Sequence, residues 1–183
     1  MSWEAVAGLS GLVAALVAIV ALILQTRQAA FVAGVDLLFN MYERFFSAEM
    51  LANRRRAALG LMGTEPSAAD DVLNFFEIVG LLTRRKALDD RMVWHMLSGC
   101  IVPYVNASEK YITASRQTDK TIWSAVVWLA ERMQAIERKH GGAMSAGTGP
   151  RVDEFLKTEA EVGRSAVEQG VEGIIETASA SAG

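Results

Sequence analysis

Twenty consecutive residues without a charge, Ala5 to Leu24 (AVAGLSGLVAALVAIVALIL), constrain this chain more than any other feature of it. At 1.5 Å rise per residue they make a helix of about 30 Å, the thickness of the hydrocarbon core of a bilayer. Trp3 and Gln25 stand at its ends as interfacial residues. A cleaved signal peptide carries a basic leader and a shorter apolar stretch. Here the leader is MSWE, with an acid and no Lys or Arg, so residues 1–26 read as a transmembrane anchor. Arg27, Arg44, Arg54, Arg55 and Arg56 follow the run and no basic side chain precedes it, which directs the C-terminal portion to the cytoplasm.

Composition narrows the rest. A chain of 183 residues has room for one domain, and its 51% hydrophobic content against 21% charged residues is high for a wholly soluble protein. The net charge of -3 points to no nucleic-acid partner, and the split is uneven: residues 1–140 hold 15 basic and 14 acidic residues, residues 141–183 hold 3 and 7. A lone Cys100 excludes an intramolecular disulfide and suits a reducing compartment.

Past the apolar run the pattern stays helical. Phe31, Val35, Leu38, Phe39, Tyr42, Phe45 and Phe46 recur at three- and four-residue steps, so the anchor is expected to continue into the bundle. Ser47 reads as the N-cap of a second helix that GTEPS ends. A third helix follows Ser67, with Asp70 and Asp71 in its first turn and Val72, Phe75, Phe76, Val79 and Leu82 inward. Asp89 or Asp90 caps a fourth, whose stripe is Val93, Leu97, Ile101, Tyr104 and Tyr111, with a kink expected at Pro103. Thr118 or Asp119 caps a fifth, which buries Ile122, Val126, Leu129, Met133 and Ile136 and turns Glu131 and Arg132 outward. The sequence thus divides into an anchor (1–26), a cytoplasmic helical bundle (27–140) and a flexible acidic tail (141–183). In the tail Val152, Leu156, Val167, Val171 and Ile174 hint at a marginal amphipathic helix, interrupted by Gly163, Gly170 and Gly173. The expected class is all-α.

Glu77 stands out because it lies at the margin of a strongly apolar stripe, where an ionised carboxylate needs a partner. Arg54, Arg55 and Arg56 on the second helix are the candidates, giving an inter-helix ion pair with a structural role. An enzymatic alternative would combine Glu77 with His95 or Tyr104 in one pocket. His95 and Cys100 fall on different helix faces and His140 sits at a helix end, so neither a metal site nor a cofactor is implied. No nucleophile elbow, P-loop or dinucleotide fingerprint occurs, no catalytic residue is assigned, and no small-molecule substrate is indicated. In the anchor, Ala7, Gly11 and Ala15 form a small-residue ridge on which a second membrane helix could pack closely.

The run NFFEIVGLLTRRKALDDRMVW, the later IVPYVNASEKYI, the N-terminal span and FFSAEMLANRRRAAL together resemble the bacterial family called domain of unknown function 4760, over about residues 5 to 135. That resemblance implies a membrane-anchored helical domain in bacteria and assigns no catalytic residues. The reading that follows is a single-pass protein of the bacterial inner membrane with its C-terminal domain in the cytoplasm. It would touch the lipid bilayer and act by interaction, as a homo-oligomer or as a subunit of a membrane assembly. Permeabilisation of the membrane by oligomerised spans is the alternative.

Overall fold

The computed structural model describes residues 3–140 and 152–162, with residues 3–15 as helical backbone alone. It is all-α: among the described residues there is no strand. Helix α1 runs unbroken from Trp3 to Phe45, 43 residues, or about 65 Å. Its described side chains from Leu16 onward include a segment long and apolar enough to cross a membrane, with none of that segment buried in the protein.

The far half of α1 enters the bundle, and its sequence FVAGVDLLFNMYERFF shows how. Apolar residues come in adjacent pairs, about 100° apart around the helix. One seam, Gly34, Leu38, Met41 and Phe45, faces the bundle: Leu38 and Phe45 are fully buried and Met41 packs against the core. A side chain at Gly34 would meet the Ala87 carbonyl oxygen at 2.7 Å, so the turn after α3 rests directly on the α1 backbone. The other seam is Val32, Val35, Phe39, Tyr42 and Phe46, alternating three- and four-residue steps. Val32, Phe39 and Phe46 stay outside, 51%, 52% and 42% exposed, while Val35 and Tyr42 are half-buried and Tyr42 packs against the core.

Ser47 then caps α2 (Ala48–Met62) as its residue type predicts, its hydroxyl oxygen accepting from the Met50 amide at 3.3 Å. A short 3-10 turn at Pro66–Ala69 leads into α3 (Asp70–Arg84), the central helix, which buries Val72, Phe75, Phe76 and Val79. Phe45 of α1 packs on both Phe75 and Phe76 at ring-centroid distances of 5.1 and 5.2 Å. The end of α3 is a Schellman-type stop with Lys86 in the left-handed region (φ 62°) and the Ala87 amide donating to the Leu82 carbonyl.

Asp89 caps α4 (Asp90–Ala107), its carboxylate accepting from the amides of Arg91 and Met92 at 3.0 Å. The helix passes through Pro103 and stops at Ser108, so Tyr111 belongs to a separate helix, α5 (Glu109–Thr118), and not to the stripe of α4. From there the Tyr111 hydroxyl donates to Asp70 at the start of α3, at 2.7 Å. Helix α6 (Ser124–Lys139) begins later than Thr118 or Asp119 would set it, leaves Ile122 exposed, and packs Val126, Leu129, Met133 and Ile136 against α3 and α4. Arg132 does not face freely outward but pairs with Asp90 of α4. Residues 152–162 form α7, which docks on the bundle through Phe155, Leu156 and Glu159, all buried. The packed body therefore extends past the expected boundary at 141, because Phe155, the one aromatic residue of 141–183, fills a place beside Tyr104 at 5.0 Å. The remaining tail positions, Val167, Val171 and Ile174 with Gly163, Gly170 and Gly173, lie outside the described residues.

Two glycines make opposite predictions. A methyl group at Gly80 would lie 2.5 Å from the Ala125 carbonyl oxygen, so Gly80→Ala forces α3 and α6 apart and should cost about 1 to 3 kcal/mol. At Gly99 of α4 the space is open, and Gly99→Ala should stabilise the helix by about 1 kcal/mol. Thermal melting of the full chain in detergent reads both.

Candidate functional site

The polar groups with the greatest structural consequence meet where α2, α4 and α7 converge. Arg54 is 4% exposed, Glu159 5% and Tyr104 0%. The Arg54 guanidinium grips Glu159 with two hydrogen bonds, Nε to Oε2 and Nη2 to Oε1, each 2.7 Å. This is the bidentate fork geometry that arginine makes with carboxylates. The Tyr104 hydroxyl donates to Glu159 Oε2 at 2.7 Å, and the guanidinium lies over the Phe45 ring at 4.4 Å and the Phe46 ring at 5.1 Å. Burial disfavours the Arg54 cation, but the hydrogen bond and charge of Glu159 more than offset this and hold its pKa above the ordinary value.

The same environment suppresses the nearby acids. Burial pushes the Cys100 thiol from its ordinary value near 9 up to about 11. Burial, and then the charge and hydrogen bond of Glu159, push the Tyr104 phenol upward as well. Both stay protonated at neutral pH, and the cluster is closed to solvent. In this arrangement it acts as a clamp that joins α7 to the bundle.

Glu77 has a different partner from the one its sequence context predicts. Its carboxylate pairs with none of Arg54, Arg55 or Arg56; it accepts from two backbone amides of α6, Ala125 at 3.0 Å and Val126 at 2.7 Å. The reason lies at the start of α6. Trp123 occupies the cap position in the left-handed region (φ 58°) and supplies no side-chain cap. Glu77 fills that role from another helix, bringing a negative charge to the positive end of the α6 dipole. Gly80, one turn further along α3, gives α6 the room to approach. Arg55 is half-buried, and Arg56 is exposed with its guanidinium on the Asn53 side-chain oxygen.

The residues of the enzymatic alternative are in three settings: Glu77 on the α6 amides, Tyr104 on Glu159, and His95 edge-on to the Trp94 ring. Among the described residues no cluster of three or more His, Cys, Asp or Glu is placed to hold a metal ion. Ala7, Gly11 and Ala15 lie on the α1 backbone, and their side chains are outside the described part. Sequence reasoning missed Glu159 altogether. Its signal was the spacing of Val152, Phe155, Leu156 and Glu159, one carboxylate on an apolar helical face.

Residues 6–133 match the family model described as Domain of unknown function (DUF4760), well over half of the chain. The chain belongs to this family. Comparison with curated proteins and with solved structures gave no match. Arg54, Glu77 and Tyr104 lie inside the DUF4760 region; Glu159, which neutralises Arg54, lies beyond it.

Three outcomes follow. Glu159→Ala strands a buried guanidinium and should destabilise the full chain by about 3 to 5 kcal/mol in denaturant titration, with Glu159→Gln milder because its amide oxygen still accepts. Glu77→Ala should cost about 1 to 2 kcal/mol, the value of a helix cap. The third concerns alkaline pH. The folded-state pKa of Cys100 lies above its unfolded value, so its contribution is complete below about pH 9 and is lost as pH rises towards 11. Stability should therefore fall between pH 9 and 11, and Cys100→Ala should make that fall shallower.

Proposed function

We propose that this chain is a single-pass protein of the bacterial inner membrane whose helical bundle stands in the cytoplasm as an interaction module, assembled with further copies of itself through α1. The observation that carries this reading is the second seam of α1. Val32, Val35, Phe39, Tyr42 and Phe46 repeat with the alternating three- and four-residue spacing by which one helix packs along another, and the bundle leaves Val32, Phe39 and Phe46 of that seam exposed. Extended upstream in the sequence, the same alternation runs through Gln28, Gln25, Ala21, Ala18, Ala14, Gly11 and Ala7. Small residues within the membrane are the kind that let two helix backbones approach, and larger apolar residues beyond it are the kind that fill a water-facing seam. The cytoplasmic orientation is supported by the basic side chains, all of which follow the apolar run.

Cysteines at Val32 and Phe39, introduced singly in a Cys100→Ala background, should oxidise to disulfide-linked dimers in native membranes, while Asn40→Cys, exposed but off the seam, should not. Monomers at all three positions would refute assembly through α1. Orientation is read separately: a cysteine at position 145 should resist an impermeant thiol reagent in intact cells, and ready labelling would reverse the topology.

A further inference from the structure

The side of α1 that faces the bundle carries a second feature, which shares only Val35 with the seam of the proposed assembly. The Ala87 carbonyl lies against Gly34, which fixes the turn Arg84-Arg85-Lys86 beside α1. Lys86 and Arg27 line the same open cleft, together with Phe31, Val35, Asp89 and Asp90. Along α1, Arg27 lies about 5 Å, and Gly34 about 15 Å, beyond Leu24, the last residue of the uncharged run. A bilayer's headgroup layer occupies roughly 5 to 7 Å on each side of the hydrocarbon core. The cleft thus opens where headgroups end and water begins.

Its charges are unevenly engaged. Asp89 accepts from the α4 amides, and Asp90 is held by Arg132, whose hydrogen bond and charge outweigh the effect of burial and keep the Asp90 carboxyl below its usual range. The Arg84 guanidinium lies 6.0 Å from the Trp128 ring centre. Arg27, Arg85 and Arg91 are exposed, with no carboxylate among the described residues in hydrogen-bonding contact, and Lys86 is exposed with Asp90 as its charged neighbour. The result is a group of cations, held by a fixed turn, where the headgroup layer meets water.

We propose that Arg27 and Lys86, which line the cleft, together with Arg85 beside Lys86 in the turn, form a binding site for the phosphate headgroups of anionic phospholipids in the leaflet on the bundle side. The site rests on the reading of α1 as a membrane span. Lipid phosphates enter the cleft from the membrane, and binding fixes the tilt of the bundle against the bilayer. Cations near an anionic surface each strengthen attachment by about fivefold.

The full chain in nanodiscs of equal phosphatidylcholine and phosphatidylglycerol tests this by native mass spectrometry of the lipids retained after ejection. The parent chain should retain phosphatidylglycerol in preference to phosphatidylcholine. Arg85→Gln with Lys86→Gln should lower that preference by roughly 25-fold, whereas the charge-preserving pair Arg85→Lys with Lys86→Arg should keep it. Lys110→Gln with Arg116→Gln on α5, beside the Tyr111–Asp70 contact at the opposite end of α3, should also leave it unchanged. Equal retention of the two lipids by the parent, or loss of preference in the α5 variant as in the turn variant, would overturn the site while leaving the span intact. A chain that fails to enter the discs would overturn the span, and the site with it.

Discussion

A single buried guanidinium organises much of this molecule. Arg54 stands on α2, stacks on aromatic rings at the end of α1, and is neutralised by Glu159 of α7 under the hydroxyl of Tyr104 on α4. An ionised arginine at 4% exposure is tolerable when its charge and its hydrogen-bonding edge are met together, as they are here by Glu159 of α7, which Tyr104 of α4 orients in turn. Four helices are thereby held to one point, and the aromatic cluster of Phe45, Phe75, Phe76 and Phe155 closes around it.

The second organising fact is the continuity of α1. A helix without a break between its apolar run and its buried end transmits position directly, because there is no hinge to absorb a rotation. Leu38 and Phe45 lock its far half into the bundle, so the orientation of the bundle follows that of the apolar segment. The turn at Ala87 against Gly34 adds a second point of attachment higher on the same helix.

Much of this was legible from local pattern. Ser47 and Asp89 cap as their chemistry dictates, and the stripes of α3, α4 and α6 are the buried ones, because caps and amphipathic periodicity are properties of a few neighbouring residues. The departures all need tertiary information. Glu77 caps a helix 48 residues away in sequence, and nothing near Trp123 announces that α6 starts there with a borrowed cap. The break at Ser108 falls inside an apolar pattern that continues to Tyr111, so periodicity alone joined α4 to α5. The partner of Arg54 was hidden for the same reason: the basic triplet and the carboxylate of α3 are close in the chain, whereas Glu159 lies beyond a glycine-rich stretch that reads as a boundary.

That separation has a consequence for how the molecule is made. Arg54 and Glu159 are 105 residues apart, so at a synthesis rate of roughly 5 to 20 residues per second the ribosome adds Glu159 about 5 to 20 s after Arg54. By then the DUF4760 region has been fully polymerised. The seal over the guanidinium is therefore made after every residue of the DUF4760 region is in place.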